Sequence, residues 1–181
     1  GSAYTGVANG GRRHYRFAKK GREYGTDIRV VAEITEAPTV HWVIPNGAGK
    51  GDVTLTSGGT LDLNGFHETI NGLIGAAYID NSSAIDVTLT VGDNDATSDY
   101  YGTIGNTGAG KVGLTKIGSG TLTLLGAHVY SGNTTIDAGV LMLGAANVLP
   151  DGSGKGNVTV NSGATLDLGG FVETINGLSG S

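Results

Sequence analysis

The sequence lacks cysteine altogether, has three prolines in 181 residues, and draws only 15% of its residues from the charged types. Without cysteine it forms neither a disulfide nor a thiolate-bound zinc site. It also contains no run of about 18 apolar residues, the length that a transmembrane helix needs. These absences exclude disulfide-stapled domains, cysteine zinc sites and membrane-spanning helices. A lack of thiols also fits a protein that is exported.

Glycine is the residue in excess. It supplies 34 of the 181 residues, whereas its usual share is about 7%. No collagen-like period accompanies it, so we expect many tight turns between short strands. Apolar residues reach 38% and are mostly small or β-branched, which favours a thin core inside a long, narrow body.

Charge divides the chain into two parts. Residues 1–30 hold seven basic and two acidic residues, a net charge of +5, and the remainder holds four lysines against fourteen acids, a net charge of −10. The composition changes near residues 38–42. We therefore predict a basic N-terminal cap or appended segment over residues 1–42 and a repeat region over residues 43–181. Within the first part, two predicted strands form a β-hairpin-like cap.

An internal repeat determines the predicted fold. The segment GKGDVTLTSGGTLDLNGFHETINGLIG (49–75) returns as GKGNVTVNSGATLDLGGFVETINGLSG (154–180), with 20 of 27 positions identical and an offset of 105 residues. Shorter units of alternating apolar and polar residues also end in glycine, among them VTLTVG (87–92) and TLTLLG (121–126). Alternation with a period of two buries one face of a strand.

We predict an all-β fold, a right-handed parallel β-helix or solenoid, in which like side chains stack over like. Leu61 would point inward and Asp62 outward, and glycines such as Gly65 and Gly126 would occupy corners. Coils of about 20 residues would give roughly six or seven turns over residues 43–181. The alternative is a β-sandwich or meander, in which the Asn-Gly dipeptides would form hairpin turns.

The segment VTLTVGDNDATSDYYGTIGNTGAGKVGLTKIGSGTLTLLGAHVYSGNTTIDAGVLMLG (87–144) closely resembles the autotransporter-associated β-strand repeat. Its most specific part is LTKIGSGTLTLLG followed by YSGNTTIDAG. The resemblance implies a right-handed parallel β-helix in the exported passenger of a bacterial type V secretion protein. Such a passenger is displayed at the cell surface, held to the outer membrane through a C-terminal translocator barrel. We expect the chain to be a truncated fragment of a longer passenger.

This resemblance gives the leading functional hypothesis, a non-catalytic structural stalk and adhesive scaffold without a cofactor. The partners that it implies are host-cell or bacterial surface glycans or proteins. Exposed solenoid ends would allow self-association, and we expect no nucleic-acid partner and no membrane span in this part. One alternative is a fragment of a β-helical polysaccharide-degrading enzyme.

Candidate catalytic residues are sparse. Two carboxylate positions recur in both copies of the repeat, whereas a catalytic pair needs a unique site, so we interpret the four residues as a solvated ladder: Asp62, Glu68, Asp167 and Glu173. His67 becomes valine in the second copy, and His128 lies in the loop GAHVYSG. We interpret both histidines as surface residues.

An acidic turn, GDNDATSDYYG (92–102), raises the question of calcium. Asp93, Asp95 and Asp99 supply oxygen ligands, but the distal bidentate glutamate of a calcium loop is missing. We predict no metal site and interpret the segment as a solvent-exposed turn, with weak calcium binding left open.

The basic N-terminal segment offers a second alternative function, a polyanion-binding module. In RRHYRFAKKGREYG, basic residues alternate with aromatic ones, a texture that suits phosphate or sulfate groups. The candidate polyanion-binding residues are Arg12, Arg13, Arg16, Lys19, Lys20 and Arg22. The competing interpretations are a capping hairpin over the first coil and a fused foreign segment.

Overall fold

The computed structural model describes residues 44–181, together with the backbone of four short strands nearer the N terminus. Those four strands are β1 (Thr5–Gly6), β2 (Tyr15–Arg16), β3 (Ala18–Lys19) and β4 (Ile28–Val30). The repeat region adds β5 (Val53–Leu55), β6 (Thr60–Asp62), β7 (Glu68–Ile70), β8 (Leu73–Gly75), β9 (Tyr78–Asp80), β10 (Val87–Val91), β11 (Ser98–Tyr100), β12 (Thr103–Ile104), β13 (Val112–Lys116), β14 (Thr121–Leu124), β15 (Thr134–Ile136), β16 (Val140–Leu143), β17 (Val158–Val160), β18 (Thr165–Asp167) and β19 (Leu178–Gly180). The only helical element in this described part is a single 3-10 turn, Asp93–Asp95. Within the same residues, no helix has the length and apolarity to cross a membrane.

The strands from β5 onward lie on three faces, which the chain visits in rotation as far as β14, after which the strands alternate between the third and the first face. The first face holds β5, β8, β11, β14, β16 and β18, the second holds β6, β9 and β12, and the third holds β7, β10, β13, β15, β17 and β19. Neighbours on each face are parallel and lie 18 to 25 residues apart in sequence, as in Thr60 with Tyr78 and Val140 with Thr165. The fold is therefore a parallel β-solenoid of six turns over the described region. This confirms the predicted solenoid and excludes the sandwich there.

The core follows from the alternation within each strand. In β10 and β13 every second residue is buried, and the paired Leu89 and Leu114 are fully enclosed. Leu122 pairs with Leu141 in the same way on the first face. Full burial of a leucine contributes about 1.5–3 kcal/mol. Like side chains thus stack over like along the axis, as predicted.

Glycines occupy the corners for two different reasons. Gly65 adopts φ +84°, a left-handed conformation that other residues adopt at a cost. Gly126 has no such angle, but a Cβ there would lie 2.2 Å from the carbonyl oxygen of Gly102 in the preceding turn. Its absent side chain lets adjacent turns approach at the spacing that the strand ladders need. Both predicted corner positions are confirmed.

The two 27-residue copies do not lie on the same faces. The VTL segment of the first copy is β5 on the first face, whereas its counterpart in the second copy is β17 on the third face. The TLD segment likewise moves from the second face, as β6, to the first, as β18. An offset of 105 residues therefore does not equal a whole number of turns. The repeated sequence determines where corners and short strands form. The lengths of the connecting loops determine on which face each strand lies.

Near the N terminus, β1 pairs with β2 and β3 with β4, both antiparallel. β4 continues the first face beside β5 in parallel. The boundary at residue 42, the role of residues 1–42 as a cap and the handedness of the solenoid stay predictions.

Candidate functional site

The repeat glutamates bind the backbone of the preceding turn. Glu68 is only 6% exposed and accepts the Ile44 N–H at 3.2 Å. In the second copy, the two carboxylate oxygens of Glu173 accept the N–H groups of Val148 at 2.9 Å and Leu149 at 2.7 Å. The prediction that these two glutamates belong to a solvated ladder is wrong, because their oxygens satisfy donors that the tight turn leaves unpaired.

Sequence reasoning missed the asparagine that completes this arrangement. The side chain of Asn71 accepts the Gly47 N–H at 2.7 Å and donates to the Lys50 carbonyl at 2.8 Å. Asn176 repeats the pattern with Gly152 at 2.8 Å and Lys155 at 2.9 Å. We call each such set, a glutamate and an asparagine bound to the preceding turn, a corner clamp. The sequence does contain a signal for this asparagine, because the segment ETING is identical in both copies of the repeat.

Aspartates make a second kind of contact between turns. The carboxylate of Asp62 accepts the N–H of Ser82 at 3.1 Å and its hydroxyl at 2.6 Å. Asp80, one turn later on the second face, accepts the N–H and hydroxyl of Thr107 at 2.8 and 2.6 Å. Asp167 is exposed, as predicted, and accepts only the local Gly169 N–H.

The two histidines differ from each other. His67 is exposed, as predicted, and its Nδ1 accepts the Thr88 N–H at 2.9 Å. His128 is 5% exposed, so the prediction of a surface residue is wrong. Its ring lies between Tyr100 and Tyr130, with centroids 6.1 and 6.2 Å away. Nδ1 accepts the buried Ile104 N–H at 3.1 Å, and burial lowers the pKa of His128 to about 4.

A buried lysine also escaped prediction. Lys116 has no exposed surface, and its Nζ donates to the carbonyls of Ile117 at 2.6 Å, Gly118 at 2.9 Å and Ala138 at 3.4 Å. Burial lowers its pKa, and the nearby Asp95 carboxylate opposes that effect. The ammonium therefore satisfies carbonyls at a corner between two turns, a structural role.

The acidic turn does not converge on one point. Asp95 accepts the Ser119 N–H at 2.8 Å, which lowers the pKa of its carboxyl. Asp93 accepts the N–H of its neighbour Asn94, and Asp99 is exposed on β11. Among the described residues, no group of three or more metal-ligating side chains is positioned to hold a metal ion.

The side chains of the candidate polyanion-binding residues all lie outside the described part of the structure. Arg12, Arg13, Lys20 and Arg22 lie outside the described residues. Arg16 and Lys19 belong to β2 and β3, of which the backbone alone is described.

The outer surface of the third face carries a row of hydroxyls. The paired positions, one per turn, are Thr69, Thr90, Thr115, Thr135, Thr159 and Ser179. Successive members lie about 4.8 Å apart, the spacing of hydrogen-bonded strands. We call this row the hydroxyl ladder.

Beside the ladder lies a groove of about 560 Å³ that crosses β10, β13, β15 and the approach to β17. Thr115 and Thr135 of the hydroxyl ladder belong to its lining. Lys111, Lys155 and Asp86 bring charge to it, and the other contributors are mostly hydroxyls, amides and glycines. We call it the third-face groove. Such a lining can form many hydrogen bonds with a polar ligand and offers little apolar surface.

Two comparisons with known proteins agree with the fold. A family model described as the passenger-associated transport repeat matches residues 114–143, from within β13 to the end of β16. The chain is also 34% identical over 129 residues to a protein of Brucella suis biovar 1 (strain 1330) described as "Adhesin BmaC autotransporter". That alignment covers 71% of this chain and 3% of the relative, so the chain spans a small part of the relative's length. No solved structure matches the chain.

The matched repeat covers the strands from β13 to β16 of the solenoid. It includes the buried Leu114, Leu122 and Leu141, whose alternation builds the core. The residues that match the family model are thus also residues that form the parallel stack. The family match identifies residues 114–143 as a passenger-associated transport repeat, and the alignment extends the similarity to an autotransporter over 71% of the chain.

Proposed function

We propose that this chain is a non-catalytic segment of a surface-displayed passenger that works as a structural stalk and adhesive scaffold at the outer membrane. The observation that carries the proposal is the set of polar side chains that bind each turn to its neighbour. Corner clamps, aspartates and Lys116 all bond backbone groups one turn away.

These contacts favour a mechanical role. Parallel ladders join the strands along three faces, and the side-chain bonds supplement them at the corners. Stability in such a body is a sum of turn and interface contributions, so a load is shared among many neighbours. Carboxylates that a hydrolase would use as acid and base, such as Glu68 and Glu173, are occupied in holding backbone donors.

A rigid stalk predicts a definite reach. With the chain placed between a membrane anchor and an epitope tag, the epitope should stand roughly 30 Å farther from the membrane, since six turns advance about 4.8 Å each. The control is a Gly/Ser linker of the same length, which gives a broad height distribution. A distribution as broad as that of the linker would contradict the stalk.

The adhesive part of the proposal depends on the outward-facing polar surface and on the relative that is described as an adhesin. Weak contacts that recur along one body gain strength through their high effective concentration. Beads coated with the chain should adhere to host or bacterial cells more than beads coated with a globular protein of equal net charge. Equal adhesion would reject an adhesive role.

The non-catalytic part has its own assay. Incubation with pectin, alginate and chondroitin should leave the length distribution of each polymer unchanged, measured by size-exclusion chromatography. Shortening of any of them, abolished when the protein is heat-denatured, would show an enzyme.

A further inference from the structure

The third-face groove differs from the rest of the surface in charge. Residues 44–181 contain twelve acids and four lysines. Lys116 is buried at its corner, so three lysines remain for the outside, and two of them, Lys111 and Lys155, line this groove. The groove holds one carboxylate, Asp86, whose Oδ1 accepts the Lys111 N–H at 2.7 Å. Its formal charge is therefore +1 on a strongly acidic body.

Both ammonium groups are available to a ligand. Lys111 is exposed and Lys155 is half-buried. Lys155 Nζ donates to the Val129 carbonyl, which holds the ammonium in place and leaves two further N–H donors. A positioned cation loses less side-chain entropy when it binds an anion than a freely rotating one.

The remaining lining suits sugar hydroxyls. Thr88, Thr115 and Thr135 present hydroxyls that both donate and accept. Asn133 accepts the Asn157 N–H at 3.0 Å through its Oδ1, and its amide nitrogen carries two donors. At Gly113 no side chain fills the groove, and a Cβ there would come within 3.3 Å of the Asn133 carbonyl oxygen.

The spacing of the two lysines points to the arrangement of charge on the ligand. Lys111 directly precedes β13 and Lys155 shortly precedes β17, two turns farther along the third face. Two turns correspond to roughly 10 Å along the axis. In an extended polysaccharide one sugar covers about one turn, so carboxylates on alternate sugars would meet both ammonium groups. Two lysines beside one aspartate suit this low charge density better than a densely sulfated chain.

We propose that the third-face groove binds a carboxylated polysaccharide that carries an acid on alternate sugars and lies along the solenoid axis. This rests on the proposed adhesive function and specifies its ligand. The hydroxyl ladder continues past the groove on both sides, so a longer polymer gains further contacts turn by turn.

The first test is binding of hyaluronan, an alternating glucuronate polymer, to the purified chain by biolayer interferometry. The double variant K111Q/K155Q should weaken binding by roughly tenfold, since it removes two ion pairs that each strengthen binding by about threefold at solvent-accessible sites. The matched control is K50Q, because Lys50 is the repeat counterpart of Lys155 and lies outside the groove. Carboxyl-reduced hyaluronan should bind the native chain about as weakly as hyaluronan binds the double variant.

Three results would overturn the proposal: no binding of hyaluronan, equal binding by K111Q/K155Q, or equal loss with K50Q. Circular dichroism of each variant establishes that it is folded. The bead assay separates this proposal from the adhesive function itself. If K111Q/K155Q beads adhere to cells as well as native beads do, adhesion stands and the groove is not its site. If native beads do not adhere yet hyaluronan binds through both lysines, the groove proposal stands and the cell-adhesion role fails.

Discussion

His128 shows how one residue can give this solenoid a pH dependence. Its Nε2 is the one buried side-chain polar atom without a hydrogen-bond partner in the described part of the chain. Nδ1 accepts an N–H, so the neutral ring carries its proton on Nε2. A second proton would have to enter an apolar stack between Tyr100 and Tyr130, which is why burial lowers the pKa of His128 to about 4.

The first prediction concerns H128N. The ordinary pKa of histidine is 6.5 and that of folded His128 is about 4, so the unfolded chain binds more protons between these values. The free energy of unfolding should therefore fall as pH drops from 6.5 to 4, by about 3 kcal/mol from this residue. H128N keeps an acceptor for the Ile104 N–H and should flatten this part of the curve. Urea unfolding at several pH values measures it.

The control for this experiment is H67N, which removes the exposed histidine. H67N and H128N each remove one histidine, so a change of slope that is confined to H128N is assigned to the buried ring. A native slope in H128N would assign the pH dependence to other groups.

The second prediction concerns K116M. Three carbonyl oxygens lose their shared donor at a buried corner, and a buried polar group left unpaired costs about 1–3 kcal/mol. We expect the free energy of unfolding to fall by about 2–3 kcal/mol, because methionine refills the volume and restores no donor. K111M, at an exposed lysine, should change it by less than about 0.5 kcal/mol. Equal stability of the two variants would show that the carbonyls find other donors.

At the scale of the element, the sequence predicted strands and corners well and faces poorly. Alternation located strands such as β10 and β14, because a period of two survives in any parallel stack. The same alternation indicates that Lys116 points inward, because it follows Val112 and Leu114 at every second position of β13. We did not predict its burial, because lysine is rarely buried. His128 lies in a loop, where no periodicity exists, so its burial had no local signal.

The sequence alone did not predict on which face each strand lies, and it therefore did not predict the third-face groove. Loops of unequal length shift the next strand around the axis, so the 105-residue repeat places equal segments on different faces. Lys111 and Lys155 are 44 residues apart in sequence. That separation corresponds to two turns, so both lysines line the same groove, but the number of turns is known only from the structure.

The third prediction compares the two corner clamps. Asn71 is 1% exposed, whereas Asn176 makes the same contacts on an exposed corner. N71A should lower the free energy of unfolding by about 2–3 kcal/mol and N176A by less than about 1 kcal/mol, because water replaces the lost partners only at the exposed site. Urea midpoints of the two variants give the comparison. Equal losses would mean that the clamp geometry, rather than its burial, determines the contribution.

At the scale of the whole molecule, position along the axis decides burial for nearly identical sequences. Leu73 is completely buried in β8, whereas its repeat counterpart Leu178 in β19 is 65% exposed. β8 has neighbours on both sides of its face, and β19 lies at the outer edge. The exposed Leu168 and Phe171 belong to the same outer turn.

This difference leads to a prediction for amide hydrogen exchange. In a solenoid, each turn is stabilised by its neighbours, so opening begins at an exposed end and proceeds inward. Amides of β18 and β19 should exchange fastest among the strands from β5 onward, and those of β13 and β14, with partners on both sides, should exchange slowest. The matched test lies within the repeat, since β8 and β19 are counterparts in the two copies, and β8 has neighbours on both sides whereas β19 has only one. Mass spectrometry of peptides that cover the two copies should show stronger protection in the first copy. Equal protection would mean that the solenoid opens as one cooperative unit, and the turn-by-turn account of its stability, on which the stalk's load sharing depends, would have to be abandoned.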